Sequence, residues 1–528
     1  MRITAVVIIM ILLLSACGGQ TNSPGDDTVA TNGTELVDIS NNEDEDRVAD
    51  NDNNTVPVNV APVREPIAVY GAEEATHIGK VGVVSRASTD GFTGSGYVEG
   101  FEGADDTCIF VIEITATGFY DLNFVSNGIG GDKDNYVAIN GEPIGTVHTK
   151  QSGEFSDAFM DRVHLEAGTH EVAISTYWGW ISLDRLEVYL SGSLREGIFD
   201  VAKTLANPNA SEITRRLYSF ICDSYGEKFI SGQYCDTGHM GKEFQVINRA
   251  TGKTPAVLGI DFMDYTPSRV ARGTSSRSTE LAINFWNVGG IVTFCWHWNA
   301  PTRYLTGTWY RGFYTDHTDI DLAKILNGDD PEGYDLLMAD IDAIAAQLVI
   351  LRDAGVPILW RPIHEASGGW FWWGAAGAEA FIELYIILFE RLTYDWELDN
   401  LIWVWNGQHP DWYPGDQYVD IVGEDIYPGE RVYASQIAKF LEVVEYSDEP
   451  KPVHLTENSC LFDPELARRD GAMWGMWVTW GGEFVAKDTI VHTLSEQYTE
   501  EAMLIKIYND PDVYTLENLP DFHTYPLD

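Results

Sequence analysis

The chain has 528 residues, 45% hydrophobic and 12% aromatic, which exceeds one average domain and suffices for two folded units with sizeable cores. It carries 81 acidic against 33 basic side chains, for a formal net charge of -48. A polyanion repels phosphates, so nucleic acids and anionic membrane surfaces are poor partners, acidic polysaccharides equally so, and a neutral polymer fits better.

At the N-terminus Arg2 precedes an apolar run, Ala5 to Leu14, too short to span a bilayer, and then Leu14-Ser15-Ala16-Cys17-Gly18. This resembles a bacterial lipoprotein signal (1–17), which implies lipidation of Cys17, export, and a tether to the membrane rather than a span across it. A plain secretory signal cleaved nearby is the alternative. Gly18 rather than Asp follows Cys17, so an outer-membrane, cell-surface position is expected. From 18 to 66 the composition is Asn, Asp, Glu, Thr and Pro, which cannot bury enough apolar surface to fold and reads as an acidic linker. The remaining cysteines, Cys108, Cys222, Cys235, Cys295 and Cys460, form an odd set without CxxC spacing. They read as neither a disulfide framework nor a zinc site, and a Cys222–Cys235 pair is left open.

Between 67 and 191 short β-branched runs alternate with turn residues: Tyr97-Val98, Cys108 to Ile112, Tyr120 to Phe124, Tyr136 to Ile139, His170 to Ile174 and Leu186 to Tyr189. The spacing predicts an antiparallel β-sandwich of the jelly-roll kind. Three stretches resemble carbohydrate-binding module family 35: Ala72 to Ala75, Asn135 to Gly141, and Gly179 to Val188. The resemblance implies a structural calcium at Glu73 and Asp184, whose hard oxygens suit that ion. Trp178 and Trp180 flank a glycine before the last strand and are candidate sugar platforms.

The remainder, 192–528, alternates buried strand-like runs with helical patterns. The runs begin at Phe229, Ala256, Ile291, Pro357, Leu401, Val419, Pro452 and Trp474, and the clearest helices are Tyr334 to Ala354 and Ala378 to Glu397. Eight such units predict an α/β fold, a (β/α)8 barrel, with a doubly wound open sheet as runner-up. In a barrel the strand C-terminal ends converge on one face. Here those ends carry Asp261, Trp296-His297-Trp298, His364-Glu365, Trp405-Asn406, Glu424-Asp425-Ile426-Tyr427, Glu457-Asn458 and Trp480. Two glutamates after buried strands, among aromatic side chains, are the pair that sugar cleavage needs. A carboxyl among aromatics keeps its proton for donation, and one beside hydroxyl donors stays ionised. The plain alternative is a core strand in which Glu365 pairs with Arg361.

From about Leu205 onward the chain resembles glycoside hydrolase family 26, through Ser231-Gly232-Gln233, Gly259 to Phe262, Trp296-His297-Trp298, Arg361 to Glu365, Trp370 to Gly374 and Asp425-Ile426-Tyr427. The resemblance implies Glu365 as acid/base and Glu457 as nucleophile of a retaining endo-β-1,4-mannanase acting on mannan, glucomannan or galactomannan. It further implies that His297 and His364 support the reacting sugar, that Trp370 stacks beside it, and that Asp425 and Tyr427 position nucleophile and substrate. Trp480 is a further candidate for substrate binding. No cofactor is expected for catalysis, since the histidines lack HExxH spacing, and a monomer is expected. Ala366-Ser367 replaces the Met-Asn that often follows the acid/base glutamate, which touches polymer preference. A β-1,3-1,4-glucanase, a β-1,3-xylanase, or a glycan-binding protein without catalysis are the alternatives.

Overall fold

The computed structural model describes residues 64–84, 89, 91–487 and 491–527, and of Trp178 the backbone alone. The readings at Cys17 and in the acidic linker up to residue 63 lie outside the described residues.

Two antiparallel sheets face each other at the N-terminal end. One orders its strands Gly82–Val84, Tyr97–Glu99, Ile181–Leu190, Gly118–Gly128 and Phe159–Leu165, with Ala68–Gly71 also paired to Ile181–Leu190. The other runs Thr76–Ile78, Thr107–Ile114, Gly168–Trp178, Lys133–Ile139 and Glu142–Thr149. Alternation along Thr107–Ile114 sends Cys108, Phe110, Ile112 and Ile114 inward, the period-two pattern of a strand with one wet face. Those residues join Leu122, Phe124, Val172, Ile174 and Leu186 in a core separate from that of the barrel.

The second domain is a closed barrel of eight parallel strands: Gly232–Tyr234, Val257–Asp261, Ile291–Trp296, Ile358–Pro362, Leu401–Trp405, Ile421–Ile426, Val453–Asn458 and Trp477–Thr479. Strands three, four, five and seven are buried at every residue, as expected of sheets covered on both faces. Three elements depart from the sequence reading. Phe229–Ile230 leaves the barrel and pairs with Val513–Tyr514, so strand one starts later, at Gly232. Strand eight begins at Trp477 rather than Trp474. The helix from Ala378 ends at Glu390 and passes into a single π-helical turn, Arg391–Asp395.

Sandwich and barrel belong to one unit, Pro66–Asp528. Ala438, on the helix Ile437–Val444 after strand six, packs against the sandwich core, and Arg162 Nε donates to the Asp470 carbonyl at 2.8 Å. The five described cysteines are free, buried thiols, so Cys222 and Cys235 do not pair.

Candidate active site

Strand four ends in a contorted backbone. Ile363 and Glu365 take φ of 43° and 52°, the left-handed region that non-glycine residues avoid, a β-branched residue most of all. The contortion is held from outside: Glu365 N–H donates to the Asn406 carbonyl at 2.8 Å and to its Oδ1 at 3.1 Å. It delivers His364 and Glu365 in succession to the barrel mouth. Trp370 then folds back over the glycine pair. A Cβ on Gly368 would overlap the Trp370 ring, and Gly369 takes φ 69°. The indole N–H consequently reaches Glu365 Oε2 at 3.0 Å.

The opposite carboxylate comes from strand seven. A register shift between strands six and seven sets Asp425 beside Glu457. Tyr427 donates its hydroxyl to Glu457 Oε2 at 2.7 Å, and Arg361 donates to Glu457 Oε1, to Asp425 Oδ2 at 2.8 Å and to the Tyr234 hydroxyl at 3.0 Å. Asp425 accepts in turn from Asn406 at 2.9 Å and Thr456 at 2.7 Å. Arg361 therefore belongs to Glu457 and Asp425, not to Glu365 as the plain reading of the segment had it. One oxygen of each of Glu365, Asp425 and Glu457 lies within 4.8 Å of the others.

The two glutamates have unlike surroundings. Burial raises the Glu365 carboxyl well above its ordinary range, and the charges of Asp425 and Glu457 add to that. Burial also pushes Glu457 up, to about 7, while Arg361, His297 and the Tyr427 hydroxyl pull it back. This qualifies the expectation that donors hold Glu457 ionised: Arg361 and Tyr427 favour its charged form, while burial and the Asp425 charge oppose it.

Around this pair, His297 Nδ1 lies 2.6 Å from Asp261 Oδ2, which fixes the ring, and the ring meets His364 edge-to-face at 4.6 Å. Burial, with Arg361 nearby, holds His364 well below the usual imidazole range, so it stays neutral. Trp480 packs on Tyr234 at 4.6 Å and reaches His297 at 5.9 Å. Of the four aromatics after Gly369, Trp370 alone is open, at 43% exposure; Phe371, Trp372 and Trp373 are buried packing. The sequence reading missed Tyr234 and Thr456 and assigned Arg361 no role at the site; only its plain alternative gave Arg361 a partner, Glu365. An arginine in the last two residues of a buried strand was the signal, because such a charge demands carboxylates.

Two clusters among the described residues have the ligand types of a cation site. In Glu365–Asp425–Glu457 the Arg361 guanidinium already sits against two of the three carboxylates. In Asp261–Cys295–His297 the acid and imidazole are bonded to each other.

On the sandwich, Glu73 and Asp184 converge on one loop: Ser95 N–H donates to Glu73 at 2.9 Å and Thr93 N–H to Asp184 at 2.8 Å. The donor set there is all oxygen, as calcium prefers, although Arg185 also donates to Asp184. Trp180 is 53% exposed, and the side chain of Trp178 lies outside the described residues.

The barrel matches glycosyl hydrolase family 26 over residues 206–507. The chain belongs to that family. Residues 68–191 match carbohydrate binding module family 35. A mannan endo-1,4-beta-mannosidase of Thermothelomyces thermophilus is 38% identical over 87% of this chain and 92% of its own length. Mannan endo-1,4-beta-mannosidase B of a Piromyces species is 31% identical over 83% and 75%. The crystal structure of the Podospora anserina GH26-CBM35 beta-(1,4)-mannanase is 38% identical and superposes with a TM-score of 0.59, covering 87% of this chain and 99% of that one. A β-mannanase from a symbiotic protist of the termite Reticulitermes speratus, solved with a gluco-manno-oligosaccharide, covers 61% of this family 26 chain and 98% of its own, at 31% identity and a TM-score of 0.53.

Proposed function

We propose that this family 26 enzyme is an endo-acting β-1,4-mannanase that cleaves mannan, glucomannan or galactomannan with retention of configuration. The observation that carries the mechanism is the spacing of Glu365 and Glu457, whose nearest oxygens lie within 4.8 Å. Retaining enzymes hold their carboxyls roughly 5–5.5 Å apart, against about 6.5–9.5 Å where a water must fit between them and the sugar. The choice of polymer is supported by the mannanases similar to this chain over most of their length.

Glu365 keeps its proton and gives it to the glycosidic oxygen as that bond breaks. Its geometry is set by the Trp370 indole and the Asn406 backbone contact. Glu457 attacks the anomeric carbon and forms the glycosyl-enzyme ester, with its free oxygen held by Tyr427 or Arg361. As the ester forms, the Glu457 charge that added to the burial and the Asp425 charge in raising the Glu365 carboxyl disappears, so Glu365 becomes a better acid for the leaving group. After proton transfer its carboxylate takes a proton from water, which attacks the same carbon and frees Glu457. Asp425 orients the Arg361 guanidinium that holds the nucleophile, and His297, Trp370 and Trp480 line the sugar.

Reducing-end release from a panel of mannan, mixed-linkage β-glucan and β-1,3-xylan, with proton NMR of the first product, tests the reading. Mannan is expected to be hydrolysed fastest, with the β-anomer appearing first. Turnover confined to another polymer, or an α-anomer, contradicts it.

Two further proposals concern the segments ahead of the barrel. Lipidation of Cys17 would anchor the enzyme at a membrane surface, and Cys17→Ser is expected to move it from the membrane to the soluble fraction; continued membrane retention of an unaltered chain refutes this. A calcium ion held by Glu73 and Asp184 would tie the Thr93–Ser95 loop to the sandwich. A melting temperature unchanged by chelator and by added calcium refutes that.

A further inference from the structure

We infer that Glu243 is a positioning residue that holds the strand-eight loop, and with it the aromatic wall beside Glu457. This rests on the hydrolase reading above.

Glu243 lies in the first turn of the helix Lys242–Thr251 and is 5% exposed. A buried carboxylate needs a reason, since desolvation penalises it unless donors meet it. Its donors come from two different barrel loops. Oε2 accepts the Cys235 thiol at 3.0 Å, just after strand one. Oε1 accepts the Gly482 N–H at 3.0 Å, just after strand eight, and Lys242 Nζ stands 3.8 Å from the same oxygen. The thiol is a lasting donor, because burial pushes Cys235 up to about 12.

The strand-eight loop is anchored at its two ends: Trp480 N–H donates to the Asn458 carbonyl at 3.0 Å, Phe484 packs on Tyr498 at 4.6 Å, and Ala486–Lys487 pairs with Thr493–Leu494. Gly482 has φ 74°, and a short 3-10 turn, Gly482–Phe484, follows. Gln233 Nε2 reaches the Thr479 and Trp480 carbonyls at 3.0 and 3.3 Å but stops short of Gly482. Between those ends, Glu243 supplies the described side-chain contact to the loop backbone, at the Gly482 N–H. The loop carries two rings to the site from either side of the fastening: Trp480 on Tyr234 and near His297, and Phe484 at 5.6 Å from Tyr427, the donor to Glu457. Releasing Gly482 would let both rings drift from the reacting sugar while leaving Glu365 and Glu457 on their strands.

The test compares wild type, Glu243→Ala and Glu243→Gln as full-length enzymes on soluble β-1,4-mannan, or on whichever panel glycan the wild type hydrolyses fastest. Glu243→Ala is expected to raise KM about tenfold with kcat within about threefold of wild type, the pattern of lost binding rather than lost chemistry. Glu243→Gln keeps an acceptor for Gly482 and is expected to restore most of the loss. Wild-type KM in a folded Glu243→Ala enzyme, a loss confined to kcat, or a Gln variant as poor as Ala would overturn the assignment. If Glu243→Ala does not fold, Cys235→Ala frees one carboxylate oxygen without touching Glu243, and a smaller KM rise is expected; no change there overturns it. Wild-type failure on mannan with turnover of another panel glycan would count against the polymer assignment and leave this comparison standing.

Discussion

Glu457 and Glu365 sit in the same buried mouth, yet unequal company separates their protons. Glu457 has Arg361 and Tyr427 as donors, whereas the described donor to the Glu365 side chain is the Trp370 indole. The rate should therefore follow a bell-shaped pH profile, rising as Glu457 loses its proton and falling as Glu365 does. Tyr427→Phe removes a donor to the charged form of Glu457, so the acid limb should move to higher pH. An acid limb that stays put, measured as kcat/KM against pH, would mean that Tyr427 does not tune the nucleophile. Arg361→Met should cost about 3–5 kcal/mol in unfolding free energy, because it strands two buried carboxylates without a partner. Denaturant melts read this directly, and a near-neutral substitution would contradict the ion-pair account.

The helix Pro331–Asp353 supports the site through Asp340, whose carboxylate accepts the Trp298 indole N–H at 2.8 Å. Trp298 stacks on Trp296 at 4.2 Å, and its carbonyl receives the Trp372 indole, so this contact backs the loop that carries Trp370. Burial pushes Asp340 up to about 7 from 3.8. The folded state thus binds this proton more tightly than the unfolded chain does. The contribution is intact below the unfolded value, declines as pH rises toward 7, and is flat above. Asp340→Asn should remove that slope and melt a few degrees higher than wild type at pH 8, with little difference near pH 4; equal melting at pH 8 would contradict it. At this scale most of the barrel was legible, since fully buried strands announce themselves as short apolar runs. The ends of strands one and eight were not, because Phe229 and Trp474 are as apolar as a strand residue while burying elsewhere. At the site, charge after an apolar run marked Glu365 and Glu457. Arg361's true partners depended on the barrel closing and on a register shift between strands six and seven, which no local pattern encodes.

At the scale of the whole molecule, the sandwich owns a core distinct from the barrel's, with Ala438 as an outside contribution. Residues 67–191 alone should fold, and they should retard on a plant polysaccharide gel through exposed rings such as Trp180. Truncation of that ring should weaken binding by about 1–3 kcal/mol, by analogy with aromatic anchors at interfaces. A folded segment with no retention on mannan, xylan, pectin or glucan would remove the binding role and leave the barrel's chemistry untouched. That chemistry is tested most directly by trapping. A 2-deoxy-2-fluoro β-mannosyl fluoride extended by one mannose has a leaving group that needs little protonation, while its fluorine slows hydrolysis of the ester that forms. Peptide mass spectrometry of the stalled enzyme is expected to find the sugar on Glu457. A label on Glu365, or turnover of the reagent with no covalent species and an inverted product, would contradict the account.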